Sequence, residues 1–163
     1  MIAGIVNRIS NRAPNFMEKP VKILVKAEML TLQGIAQWYI KVENDEQKYL
    51  TLKDIYQGAA VSQTIIYCNS TRRVDDLHEA MSLDKFPVTK IHGKMEEFER
   101  RKNDSAFRNG DARVLITSDL YSRGMDVQQV SIVINFDLPK SKHTYLHRIG
   151  RSGRWGRKGF AIN

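Results

Sequence analysis

An open parallel α/β sheet with helices on both faces is the fold this sequence predicts. Three observations predict it. Short runs of β-branched and apolar residues, such as Thr64–Cys68, Arg113–Thr117 and Ser131–Asn135, recur along the chain. They have the continuous apolar form of strands buried on both sides, rather than the alternation of half-exposed ones. Between them lie segments of helical period, some opened by Asp or Ser/Thr and some closed by glycine, and strands alternating with helices at this spacing build βαβ crossovers.

Taken in order, residues 1–20 show no clean period and contain Pro14 and Pro20, so they read as a linker or arm, with the domain at 21–163. Gln37–Glu43 is rich in aromatic and β-branched residues and predicts a first strand. Asp45 is a candidate N-cap for a helix with Tyr49, Leu52, Ile55 and Tyr56 on one face, closed by Gly58. The run Thr64–Cys68 is the next strand, and Ser70 or Thr71 caps a helix whose stripe is Val74, Leu77, Ala80 and Met81. Val88–Ile91 is a strand broken by His92-Gly93. A helix from about Met95 to Asn109 follows, with Gly110 placed as its C′ residue. Strands at Arg113–Thr117 and Ser131–Asn135, a turn at Asp137–Pro139, a helix capped by Ser141 and a last strand at Phe160–Ile162 complete the pattern.

The chain has 163 residues, enough for one domain with a sizeable core. Lys+Arg 26 against Asp+Glu 18 gives a net charge of +8, which favours a polyanionic partner such as nucleic acid or an anionic membrane surface. A single cysteine, Cys68, excludes an intramolecular disulfide and any multi-cysteine metal site. Its strand flanks point to a buried thiol. No apolar run reaches membrane-spanning length and no signal-peptide pattern opens the chain, so an intracellular, cytoplasmic setting with no membrane partner is expected, the nucleus remaining open.

The densest chemistry lies at His147–Gly159. Arg148, Arg151, Arg154 and Arg157 follow one another at a spacing of three, interleaved with Gly150, Gly153, Gly156 and Gly159. Seven Lys/Arg and no Asp/Glu occur from Lys140 to Lys158. Planar, permanently charged guanidinium groups so close together repel unless an anion sits among them, and phosphate fits their fork. A solvated basic tail has the same composition. Two further segments follow predicted strands, where ligands of such sheets bind. Asn69-Ser70-Thr71-Arg72 could cradle a phosphate or simply cap a helix. Thr117–Asp126 gathers hydroxyls, a glycine and carboxylates around Arg123, a set able to serve a sugar and a phosphate or to form a surface Arg–Asp pair.

His147-Arg-Ile-Gly-Arg-Ser-Gly-Arg154 resembles the final signature of the DEAD-box RNA helicases, in their second RecA-like lobe. Other signatures agree with it in order, and the likeness covers nearly all of residues 15–163, nearest the branch serving translation initiation and exon junctions. Gln128 leans toward the former pathway and Ser152 toward the latter. The resemblance implies a RecA-like fold and a set of roles. Asn69, Ser70 and Arg72 match a loop that contacts the RNA backbone. Gly93 and Arg100 match a second, although the family's His-Gly-Asp and Gln-x-x-Arg become His92-Gly93-Lys94 and Glu97-x-x-Arg100 here. Glu97 would repel an anion and is expected to pair with Arg100 or Arg101. Asn103 and Asp104 stand where relatives carry large apolar residues, so the helix is expected to rest on Phe98, Ala106 and Phe107 and to be the loosest. Ser118, Arg123 and Gly124 match RNA contacts, and Asp126, with Gly124, matches an ATP-ribose site. Arg151 and Arg154 match the arginine fingers that meet the β- and γ-phosphates, with Arg148 bracing motifs and His147 reaching toward the other lobe.

Neither a Gly-x-x-x-x-Gly-Lys-Ser/Thr loop nor an Asp-Glu-Ala-Asp run occurs. The resemblance therefore implies one lobe of a two-lobed machine, the chain starting at the end of the first lobe. ATP with Mg²⁺ would be held chiefly by that first lobe, RNA would bind between the lobes without sequence preference, and a scaffold protein would be a further partner. ATPase activity is not expected from this lobe alone. The rivals are a non-catalytic RNA-binding or regulatory module of the same fold, and a flavodoxin-like signalling domain, which the lack of an acidic phospho-acceptor cluster disfavours.

Overall fold

A computed structural model describes residues 34–58, 63–119, 130–152 and 159–163. The linker assigned to 1–20 and the domain start at 21 lie outside them. Six strands, β1 (Ile35–Trp38), β2 (Gln63–Tyr67), β3 (Val88–Ile91), β4 (Val114–Thr117), β5 (Val130–Asn135) and β6 (Gly159–Ile162), form one sheet in the order β1-β6-β5-β2-β4-β3. Every neighbouring pair is parallel. Four helices are described: α1 (Asp45–Gly58), α2 (Thr71–Leu83), α3 (Glu97–Asn109) and α4 (Lys142–Ile149).

Both faces of the sheet are covered, which is why the central strands contain so few polar side chains. Each residue of β2 and β4 is buried. Ile66, Cys68, Val114, Ile116 and Ile134 form one core with Leu52 of α1 and Val74, Leu77 and Met81 of α2. The intervening residues Ile65, Tyr67, Leu115 and Val133 point to the opposite face and are equally buried, with Phe107 of α3 and Ile149 of α4. At the edge, β1 is covered little: Trp38 is 64% exposed and Phe160 of β6 44%.

The predicted elements are all present, with three corrections. The first strand is Ile35–Trp38 rather than 37–43; past Trp38 the described contact with the β6 side is a single bond, Ile40 N donating to the Asn163 carbonyl at 2.8 Å. The cap of α1 is Asn44, whose Oδ1 accepts from Gln47 N at 2.8 Å, while Gln47 Oε1 accepts from Glu43 N at 3.0 Å. Asp45 is thereby left to pair elsewhere. Finally, Phe98 is 80% exposed and α3 buries Phe107 alone, with Ala106 half-buried. Nine positions at about 100° each place Phe98 and Phe107 on opposite sides of a helix, so they cannot share one stripe.

The other ends are as the residues suggest. Ser70 and Ser141 cap α2 and α4, accepting from Arg73 N and Thr144 N at 3.3 and 3.1 Å. Gly110 closes α3 at φ 86°, and α2 ends in a Schellman turn, with Lys85 N donating to Ser82 O and Phe86 N to Met81 O, both at 3.0 Å.

Candidate nucleotide and RNA interface

The parallel sheet directs all strand carboxyl ends to one edge, and the segments beginning at Cys68, His92, Ser118 and Phe136 leave from there. β2 and β5 are neighbours, yet the chain leaves β2 for α2 on one face and β5 for α4 on the other. Such a divergence opens a crevice in doubly wound sheets. Here Arg148 of α4 closes it.

The Arg148 side chain has no solvent exposure. Its Nε donates to Asp119 Oδ1 at 2.6 Å, Nη1 to Asp137 O at 2.6 Å and Asn135 Oδ1 at 3.3 Å, and Nη2 to Asn69 Oδ1 at 2.8 Å. The guanidinium also lies over the Tyr67 ring, 5.2 Å from its centroid. One side chain thus ties together the ends of β2, β4 and β5. A buried cation is tolerated when its donors are satisfied, and the planar fork provides them in fixed directions.

Beside it stands a second cluster around Asp137. Its Oδ2 accepts from Asn69 N at 3.0 Å and Arg73 Nε at 2.8 Å, and Lys48 Nζ lies 3.4 Å from Oδ1. Arg73 carries on to Asp45 through Nη1 and Nη2, at 2.9 and 3.0 Å. The Arg73 hydrogen bonds, seconded by Lys48, hold the Asp45 carboxyl down at about 2. Arg73 and Lys48 both sit over the Phe136 ring. These bonds fix the amino-terminal ends of α1 and α2 to the β5–α4 turn. Burial pushes the neighbouring Cys68 thiol up to about 12, so it stays protonated and unreactive.

The sequence-predicted residues divide three ways. Asn69 is spent internally, its Nδ2 donating to Leu138 O at 2.8 Å and its Oδ1 accepting from Arg148, and the Ser70 hydroxyl caps α2. Arg72, by contrast, has a 91% exposed side chain whose ion pair with Asp76 is long, at 3.9 Å. Gly93 is exposed on the turn after β3, and Ser118 is half-buried after β4. Arg100 is half-buried, and its Nε lies out of solvent with no hydrogen-bond partner among the described residues. A donor in that state suits an arriving acceptor. Glu97 bonds to Arg101, one turn on.

In the arginine stretch, His147 packs edge-on against His143, ring centroids 4.6 Å apart. Arg151 is half-buried on the turn that ends α4, where its N–H donates to Arg148 O at 3.2 Å, and Ser152 Oγ donates to Ile149 O at 2.9 Å. The turn bearing Arg151 is therefore anchored to the helix that Arg148 locks into the sheet. Arg123, Gly124, Asp126 and Arg154 lie outside the described residues. Reading the sequence alone missed the acceptors Asp119, Asn135 and Asp137 as a group; the signal was Arg148 itself, which the resemblance marks as bracing the motifs, since a bracing guanidinium needs several acceptors nearby.

Residues 47–156 match the model of the helicase conserved C-terminal domain. The chain belongs to that family. Eukaryotic initiation factor 4A of Caenorhabditis elegans is 52% identical over 95% of this helicase domain and 38% of its own length. Eukaryotic initiation factor 4A-III homolog B of Oryza sativa subsp. japonica is 50% identical over 99% of this chain and 40% of its own. Among solved structures, S. cerevisiae Dbp5 bound to RNA and ADP BeF3 superposes with a TM-score of 0.83 at 30% identity, over 96% of this chain and 41% of that one. The chain thus spans about two-fifths of the length of these relatives. The likeness to the second RecA-like lobe of DEAD-box helicases, drawn from the motifs, is borne out in sequence and fold. Among the described residues no helix is long and apolar enough to cross a membrane, and no three His, Cys, Asp or Glu converge as metal ligands.

Proposed function

We propose that this chain is the second lobe of an ATP-dependent RNA helicase of the initiation-factor type, working in the cytoplasm against a first lobe that carries the P-loop and holds Mg²⁺. The observation that carries this reading is the Arg148 lock: it makes the strand ends and the Arg151 turn one rigid unit. Such a unit can present a guanidinium to a triphosphate without reorganising, which is what electrostatic catalysis requires. Arg151 and Arg154 meet the β- and γ-phosphates, Asp126 and Gly124 the ribose. ATP, bound between the lobes, supplies the phosphoryl group whose hydrolysis reopens the cleft.

RNA lies along the same edge, against Arg72, Gly93, Arg100 and Ser118, with Asn69 and Ser70 shaping the loop rather than lending side-chain bonds; Arg123 and Gly124 are its further contacts by motif. Contacts to phosphates and sugars make the binding tolerant of sequence. His147 faces the first lobe, and a scaffold protein that holds the lobes together completes the assembly. RNA-dependent ATPase measurement tests the reading. Turnover is expected when a separately expressed first lobe is added, and none with this chain alone. Appreciable turnover by this chain alone, or none from the pair, overturns it.

A further inference from the structure

Below the second RNA segment lies a buried histidine that the reading above leaves without a role. His92 directly follows β3, is 5% exposed, and faces α2 through Asp75. Its carbonyl accepts from Met95 N at 3.2 Å, closing a four-residue turn with Gly93 and Lys94 at its centre. Its Nδ1 lies 3.3 Å from Lys94 N, which can only donate. A ring nitrogen that accepts carries no proton, so in the neutral ring the proton sits on Nε2. Nε2 lies 3.0 Å from Asp75 Oδ1 and donates to it. The same oxygen accepts from Lys90 Nζ at 2.5 Å. Burial raises the Asp75 carboxyl, but the bonds from Lys90 and His92 outweigh it and hold the group ionised, below its ordinary value. Asp75 thus fixes the tautomer, and the tautomer provides the acceptor that holds the turn.

We propose that His92 is a positioning residue, which as the Nε2–H tautomer anchored on Asp75 fixes the Gly93–Lys94 turn against which the RNA backbone lies. This rests on the RNA reading given above. Because the bond to Lys94 uses its main-chain N–H, a lysine in place of the family's aspartate leaves the device intact. His92 itself is too deeply buried to touch RNA, so it acts through the turn.

The first test needs no substitution: a long-range ¹H–¹⁵N spectrum of the histidine rings at neutral pH. The His92 signals are expected to show a protonated Nε2 and an unprotonated, accepting Nδ1; the other tautomer or a doubly protonated ring overturns the proposal. The second test separates the two bonds. His92→Asn keeps an acceptor near the Nδ1 position, whereas His92→Gln keeps only the reach to Asp75. With a fluorescent single-stranded oligouridylate, His92→Gln should weaken binding ~2- to 10-fold, the range of one hydrogen bond, and His92→Asn less than ~2-fold. The dependence on salt should not change in either, since no phosphate contact is removed. Equal losses in both variants, no loss in His92→Gln, or a shallower salt dependence would overturn the positioning role. Failure of the unsubstituted chain to bind the oligonucleotide would instead remove the RNA reading, and this inference with it.

Discussion

Replacing Arg148 by alanine probes the lock directly. The substitution removes a side chain of zero exposure and strands four acceptors: the Asp119 and Asn135 side chains, the Asp137 carbonyl and Asn69 Oδ1. Water can reach Asp119, whose side chain is 44% exposed, so that loss is partly recovered. Asn135 is 3% exposed and cannot be rehydrated without opening the sheet edge. Breaking a buried charged network from one side costs roughly 3–5 kcal/mol, against about 5–15 kcal/mol for a whole domain. The melting temperature should therefore fall by roughly 6–20 °C, at about 2–4 °C per kcal/mol for a chain of this size. Arg148→Lys keeps the charge but reaches fewer acceptors, and should fall between wild type and alanine. Thermal melting and urea denaturation, both followed by circular dichroism, measure the two variants. A loss below about 1 kcal/mol in Arg148→Ala would show that the hub is not what holds the strand ends, and would refute the reasoning.

Two further outcomes follow from the same physics. Lys85 closes α2 at φ 63°, a left-handed conformation that costs a side-chain-bearing residue about 1 kcal/mol, so Lys85→Gly should raise stability by up to about 1 kcal/mol in the same denaturation assay; an unchanged or lower midpoint would contradict it. Asp45 is held at about 2, below its unfolded value, so its pairing with Arg73 stabilises the fold above pH ~4 and is lost as pH falls toward 2. The pair is largely exposed, so Asp45→Asn should flatten the acid limb of a pH–stability curve only slightly, and an identical curve for both proteins would remove the linkage.

How much of this was legible beforehand depended on whether a residue's partners lay nearby in the chain. The runs in β2 and β4 were found almost to the residue because burial on both faces forces continuous apolar sequence, and Ser70, Ser141 and Gly110 marked helix ends by local chemistry. The cap of α1 was misplaced by one residue because Asn44 and Asp45 are both good caps, and Arg73, 28 positions away, claims the aspartate. Phe98 was misassigned because hydrophobicity was weighed without its angular position on the helix. In the site, the arginine-glycine stretch drew attention by composition, but the acceptors of Arg148 lie 11 to 79 positions from it. No sequence period reports such contacts. The tautomer of His92 was likewise invisible, since it depends on a main-chain N–H and a carboxylate from another element.

In the function proposed above, the turn after α4 delivers the Arg151 guanidinium to a triphosphate held by another lobe. This is tested most directly by single-turnover ATP hydrolysis in the reconstituted two-lobe enzyme with saturating RNA, comparing Arg151→Lys with wild type. A fall in rate of ~10³-fold or more, with RNA binding and melting temperature unchanged, is the predicted result. A rate within a few-fold of wild type would contradict the claim.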